Sequence, residues 1–206
     1  MTSSRYFAAI AAAVVAFSGA TGQPAPAAPT RPFREMVQQA CDIATATLAG
    51  CDAASLRAID AARAGEGLKP LELPPGFFDL PPSVQLVVVT NAERLSRGLP
   101  GWAGPDQALS DLASQGVASG ADPAGPADQV WASNVADGVL SALQADYEWM
   151  YNDGPGGSNP ACTAPGAPLC WQHRQNILRP WDGAIGAAEA PARRRLVLGE
   201  LMVKES

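Results

Sequence analysis

The stretch CWQHRQNIL at residues 170–178 contains the most informative pattern in this 206-residue chain. It begins at a cysteine, includes His173, the single histidine of the sequence, and ends just before Pro180. Because proline cannot continue a helix, the pattern predicts a short helix over 171–178 with Ile177 and Leu178 facing a core. Mechanisms that require a pair of histidines are excluded.

The residues before this helix predict a loop closed by a disulfide. Glycine, proline and asparagine are concentrated at 152–168, a composition typical of turns. The four cysteines allow three connectivities. The pairs Cys41 with Cys51 and Cys162 with Cys170 each close a loop of about ten residues, so we predict this local pairing. A zinc site built from four cysteines would need closer spacing.

Apolar periodicity predicts helices before this loop and strands after it. Helices are predicted over 84–95 with Ser83 as N-cap, over 106–118 and over 139–151. The first of these contains three consecutive valines, which favour a strand. Its apolar positions nevertheless lie on one helical face, so we interpret it as a helix. Strands are predicted over 184–188 and 196–203, separated by a polar turn at 193–195.

Residues 33–80 are predicted to form a helical extension followed by a proline-rich strap. One helix is expected from Phe33 to about Gly50, and a second, short helix is expected from an N-cap at Asp52 to about Gly65. Residues 70–82 include five prolines among apolar residues. This segment should therefore be extended and should pack on another part of the protein.

The N-terminus predicts export. Residues 1–20 combine Arg5, an unbroken apolar run at 7–17 and small residues at 18–20, which is the pattern of a signal peptide. The run is shorter than the roughly 20 residues that a membrane span needs, so we expect a secreted or extracellular protein with no transmembrane anchor after cleavage. Residues 21–32 are predicted to be a disordered spacer. The net charge of −6 disfavours nucleic acid as a partner.

The candidate catalytic residues are His173, Asp153 and Glu148. A hydrolytic triad would need a nucleophile such as Ser158, but no nucleophile-elbow signature surrounds it. A metal site would need three or four ligands, and with the cysteines oxidised only carboxylates or water could join the histidine. We therefore predict neither a metal nor a cofactor, and we interpret His173 as a hydrogen-bonded structural residue.

Several segments together resemble bacterial CAP domains, the superfamily of cysteine-rich secretory proteins, antigen 5 and pathogenesis-related proteins, also called SCP-like extracellular domains. The resemblance covers about 81–203 within a predicted domain of 81–206, and residues 41–82 resemble the N-terminal extension of actinobacterial members. The segments that resemble the family are NAER at 91–94, GL at 98–99, WMY at 149–151, the 170–178 stretch, and IG at 185–186.

The resemblance implies an α+β fold, a three-layer α-β-α sandwich with a small antiparallel sheet. It also implies a binding cavity, which in the family typically contains two histidines and two acidic residues. His173 matches the last histidine, whereas Gln115 lies in the helix where the first is expected. Ser133 and Asn152 replace the two acids, and Asn134 is retained. By this comparison, metal binding of the family type is lost.

The predicted function is a secreted, non-enzymatic CAP-like domain that binds an apolar or cell-envelope ligand, such as a lipid, as CAP relatives do. One alternative is a cell-wall-active or proteolytic hydrolase that uses His173 with Asp153 or Glu148. Another alternative is a protein–protein interaction module that uses the extension at 33–80 as its contact surface.

Overall fold

The computed structural model describes residues 33–42 and 44–205 of the chain. The predicted signal peptide at 1–20 and the predicted spacer at 21–32 lie outside the described residues. Within the described ranges, no helix is long and apolar enough to cross a membrane.

The described residues form helices and one antiparallel sheet, so the α+β prediction is confirmed. The helices are α1 (Arg34–Ala40), α2 (Leu48–Gly65), α3 (Pro82–Leu95), α4 (Gln107–Ser119), α5 (Ala142–Met150) and α6 (Gln172–Ile177), with a 3-10 turn at Phe77–Asp79. The strands are β1 (Trp131–Val139), β2 (Gly183–Ala192) and β3 (Arg195–Lys204), in the sheet order β1-β3-β2.

The central strand β3 separates two apolar layers. Successive side chains of a strand point to opposite faces. Leu201 packs on one face with Leu109 of α4, and Met202 packs on the other face in the core that includes Leu86 of α3. Helices α5 and α6 contact β1. The sheet is therefore covered by helices on both sides, as a three-layer sandwich requires.

The predictions for the first two helices are wrong in their boundaries. Helix α1 ends at Ala40, and the Asp42 side chain accepts a hydrogen bond from the Ala44 amide at 2.8 Å, a turn that interrupts the helix. Helix α2 begins at Leu48, and Thr47 is its N-cap, accepting from the Gly50 amide at 3.1 Å. Asp52 is thus buried inside α2 and does not cap it.

The helical interpretation of 84–95 is confirmed by α3, but Ser83 is not its N-cap. The helix starts at Pro82, because proline suits the first turn of a helix, where its missing N–H has no partner to lose. The Ser83 amide donates instead to Glu189 of β2 at 2.7 Å.

Strand β1 was not among the predicted strands, and the predicted helix at 139–151 starts later than expected. Val139 ends β1, and α5 begins at Ala142 with Ser141 as the N-cap, accepting from the Gln144 amide at 3.2 Å. The strand is rich in small and polar residues and pairs only with β3. Its stability comes from that pairing, which local apolar periodicity does not reveal.

Other predictions agree with the structure. Helix α4 is capped by Asp106, α6 covers 172–177, and β2 and β3 are longer than the predicted strands. Both predicted disulfides, Cys41–Cys51 and Cys162–Cys170, are formed. The first joins the residue after α1 to the first turn of α2.

The proline-rich strap packs as predicted. Leu71 and Phe77 are buried in the same apolar core as Ile59 of α2 and Leu143 of α5. The extension and the sandwich therefore share one core, although Phe78 stays exposed.

Candidate functional site

His173 lies in the first turn of α6, directly after the disulfide-closed loop. Asp153, which is fully buried, makes two contacts with it. Its Oδ2 accepts from the His173 amide at 2.9 Å, and its Oδ1 lies 2.6 Å from ring atom Nδ1. Because a carboxylate can only accept, the proton of this bond belongs to Nδ1, and the ring orientation is fixed.

The pKa of His173 is raised by this arrangement. Burial alone would lower it, but the hydrogen bond from the ring to Asp153 and the negative charges of Asp153, Asp122 and Glu200 outweigh the burial. The ring also stacks on Trp149, with centroids 6.3 Å apart. Asp153, His173 and Trp149 are hereafter called the His173 site.

A buried polar network lies beside the His173 site. The Asn134 side chain donates to the carbonyl of His173 at 3.3 Å and to Glu200 Oε1 at 2.8 Å. Thr90 donates to the other oxygen of Glu200 at 2.7 Å. Burial raises the pKa of Glu200 to about 7, even though these bonds and the charges of Arg94 and His173 act to lower it. Glu200 was missed by the sequence analysis, although an acid inside an apolar strand was a visible signal.

The predicted cavity residues do not converge. Asn134 pairs with Glu200 and faces α3, whereas Ser133 pairs with Leu201 and so faces α4. Gln115 is exposed on α4. Of the five predicted residues, His173 and Asn134 are joined by a hydrogen bond, which Asn134 donates to the backbone carbonyl of His173.

Glu148 and Asn152 line a different part of the surface. They border a pocket of about 370 Å³ together with α1, and His173 does not line it. The hydroxyl of Ser158, the candidate nucleophile, donates to the backbone carbonyls of Glu148 and Asn152, both at 3.2 Å. Among the described residues, no hydroxyl or thiol is hydrogen-bonded to the ring of His173.

Arg94, in the motif at 91–94, has a structural role. The Arg94 guanidinium donates to backbone carbonyls at the end of α6 and in the segment that follows it, at Ile177, Arg179 and Trp181. It also stacks over Trp102, 4.0 Å from the ring centroid. These bonds attach α3 to the C-terminal part of the sandwich, which explains why an arginine is needed there.

The donor set does not fit a metal site of the family type. Asp153 is occupied by the ring and the amide of His173, and Ser133 and Asn152 are poor metal ligands. Across 33–42 and 44–205, no three His, Cys, Asp or Glu side chains are close enough together to hold a metal ion.

Comparisons with known proteins give a weak structural similarity. No family model and no curated protein matches the chain. A crystal structure of MpPR-1i is 16% identical over 65% of this chain and 90% of that one, with a TM-score of 0.40. The same protein soaked with selenourea is 19% identical over 65% and 94%, with a TM-score of 0.39. At this level, the similarity establishes neither the family nor the function of this chain.

Proposed function

We propose that this chain is an exported CAP-like domain that binds a cell-envelope ligand and does not catalyse a reaction. The observation that carries the proposal is the occupancy of the polar groups at the His173 site. Asp153 binds both the amide and the ring of His173, and Ser158 bonds to backbone carbonyls. A nucleophilic mechanism needs a hydroxyl or thiol within reach of the base.

The CAP assignment is supported by the positions of the motif residues. Asn91 bonds to both the amide and the carbonyl of Trp102, at 2.7 and 3.1 Å. Asn176 donates to the carbonyl of Ser133 and to the side chain of Asn134. The motif at 170–178 therefore connects α6 to β1, and the motif at 91–94 connects α3 to the segment before α4. These contacts give a physical reason for those residues in this order.

Export is supported by the signal-peptide pattern at 1–20 and by the two disulfides. Disulfides persist in oxidising compartments, outside the cytosol. Of the two ligand classes we expected, a polar envelope component is better supported than an apolar one, because the pocket beside Glu148 and Asn152 is lined mainly by polar and charged side chains.

The proposal is tested by assaying the purified chain against cell-wall and peptide substrates, with His173→Ala beside it. We expect no turnover by either protein. In parallel, native mass spectrometry with an envelope lipid extract and an envelope peptide extract should show an adduct from the peptide extract. Turnover by the wild type that disappears in His173→Ala would overturn the proposal.

The second candidate is the hydrolase that we kept as an alternative. The Asp153–His173 pair favours it, because an imidazole oriented by a buried carboxylate is a suitable general base. The pKa of His173 is raised, because its hydrogen bond to Asp153 and the nearby negative charges outweigh the effect of burial. The same assay decides between the two candidates.

A further inference from the structure

A pocket of about 370 Å³ opens between α1, α5 and the disulfide-closed loop. Its wall includes Arg34 of α1, Glu148 of α5, Asn152 after α5, and Arg195 of β3. We call it the α1 pocket. Its volume is at the lower end of the roughly 300–1,000 Å³ that is usual for small-molecule sites, so it suits a small ligand.

The floor of the α1 pocket presents acceptors. Asn152 is 5% exposed, and its side-chain oxygen has no hydrogen-bond partner among the described residues. Glu148 accepts from Gln144 at 2.9 Å through Oε1. Burial raises the pKa of Glu148, while the hydrogen bond from Gln144 and the charge of Arg195 act to lower it. A ligand amine beside this carboxyl would likewise stabilise its charged form. A buried acceptor without a donor is costly, and a ligand N–H would remove that cost.

The wall near α1 presents positive charge. One terminal nitrogen of Arg34 donates to the carbonyl of Gly156, while its buried Nε has no partner among the residues described. Arg195 donates to the carbonyls of Gly138 and Cys41. Across 33–42 and 44–205, neither arginine forms an ion pair within 4.0 Å. Their charges are therefore fixed in position, and a carboxylate could pair with them.

We propose that the α1 pocket binds a small zwitterion, an α-amino acid or a free dipeptide. The ligand amine contacts Asn152 and Glu148, and the ligand carboxylate pairs with Arg34. The inference rests on the proposed binding function and names its ligand class. The pocket requires the N-terminal extension, because its lining includes Arg34 of α1 and the half-cystine Cys41 that directly follows α1.

The ligand class is tested by isothermal titration of the purified full chain with three probes. These are L-alanyl-L-alanine, its N-acetylated form and its C-terminal amide. We expect the free dipeptide to bind and each blocked form to bind about tenfold more weakly, because each has lost one charge-assisted contact. Equal binding of all three probes, or no binding of the free dipeptide with a Kd below about 10 mM, would overturn the proposal.

The residues are tested with variants in the same titration. Arg34→Gln should bind the free dipeptide and its amide equally, and Asn152→Ala should reduce discrimination against the N-acetylated form. The matched control is Arg57→Gln, an exposed arginine on α2 outside the pocket, which should bind like the wild type. Circular dichroism confirms that each variant is folded. If Arg34→Gln keeps the wild-type preference for a free carboxylate, the assignment of Arg34 is wrong.

The experiments distinguish failure of this inference from failure of the proposed function. None of the three probes depends on His173, so a negative titration would overturn the ligand class alone. Turnover that requires His173 would overturn the non-enzymatic proposal, whatever the titration gives.

Discussion

The polar residues of this protein fall into two regions that differ in how they are partnered. Around the His173 site, Asp153, Asn134 and Glu200 are hydrogen-bonded to other parts of the chain. In the α1 pocket, Asn152 has a buried oxygen and Arg34 a buried nitrogen without partners among the described residues. The two regions are joined by the consecutive residues Asn152 and Asp153.

The difference indicates which region is available to a ligand. Buried polar groups in folded proteins are normally paired, and an unpaired one calls for a specific explanation. Paired groups stabilise the fold, whereas the cost of burying an unpaired group beside a pocket is one that an external molecule can offset. The family resemblance predicts a binding site at His173, whereas the unpaired polar groups indicate a binding site at the α1 pocket.

Asp146 is an exception to the pairing of polar groups around the His173 site. It is 1% exposed, and neither carboxylate oxygen has a hydrogen-bond partner among the described residues. Burial, followed by the charges of Glu93 and Glu200, raises its pKa well above the ordinary value. Unlike Asn152, it does not line the α1 pocket.

The largest effect is expected from Glu93→Gln. Glu93 is fully buried, pairs with Arg63 at 2.5 Å and with Arg97, and accepts from Tyr151 at 2.8 Å. Neutralising it leaves buried arginine charge uncompensated, so the free energy of unfolding should fall by about 3–5 kcal/mol. Urea denaturation measures this. The control is Glu72→Gln at an exposed position, which should change the free energy of unfolding by less than about 0.5 kcal/mol. Similar changes in the two variants would contradict the conclusion that buried, paired polar groups stabilise the fold.

The second effect is a pH dependence from Glu200. Its pKa rises from an ordinary 4.5 to about 7 on folding, so the folded state binds the proton more tightly and its contribution to stability is lost as pH rises from 4.5 through 7. Comparing pH 4.5 and pH 8, this contribution amounts to about 3 kcal/mol. His173, whose pKa is also raised, acts in the same direction above its ordinary 6.5.

Urea denaturation at several pH values measures this dependence in wild type and in Glu200→Gln. The variant should lose much less stability than the wild type between pH 5 and pH 8, because Gln has no proton to release. Parallel pH profiles for the two proteins would show that Glu200 is not responsible.

Removing the Cys41–Cys51 disulfide should have a smaller effect. In the chain-entropy model, a loop of this size contributes about 2.5 kcal/mol, so Cys41→Ser with Cys51→Ser should lower the unfolding free energy by that amount. Cys41 also borders the α1 pocket, so the dipeptide affinity should fall. The matched double variant at Cys162 and Cys170 should lose similar stability. A wild-type dipeptide affinity in the variant with Cys41→Ser and Cys51→Ser would mean that the pocket does not depend on the position of α1.

The smallest effect on stability is expected from His173→Ala. The substitution removes the stacking on Trp149 and one of the partners of the buried Asp153, and should cost about 1–3 kcal/mol. Thermal unfolding measures it, with the exposed Gln115→Ala as control. An unchanged melting temperature would contradict the structural role of this histidine.

Sequence reasoning predicted the elements whose signals are local. Helices α3, α4 and α6 have one apolar face and a proline or a capping residue at an end, and β2 and β3 are apolar runs joined by a polar turn. Strand β1 depends on its pairing with β3, and the break between α1 and α2 depends on the side chains of Asp42 and Thr47. Neither is visible in apolar periodicity.

The site was less predictable for a related reason. The closeness of Asp153 to His173 was suggested by their short separation in sequence. The contact of Glu200 with Thr90 joins residues 110 apart, and Arg34 bonds to Gly156 across 122 residues. Contacts between such distant residues follow from the fold, which a single sequence does not give.

The most direct test of the two-region account is a nitrogen-15 NMR titration of the full chain with L-alanyl-L-alanine, which observes both regions in one spectrum. The account predicts saturable shifts at amides lining the α1 pocket, such as Gly157 and Ser158, with His173 and Asn176 unchanged. Saturable shifts centred on His173 and Asn176, with none at Gly157 and Ser158, would contradict it.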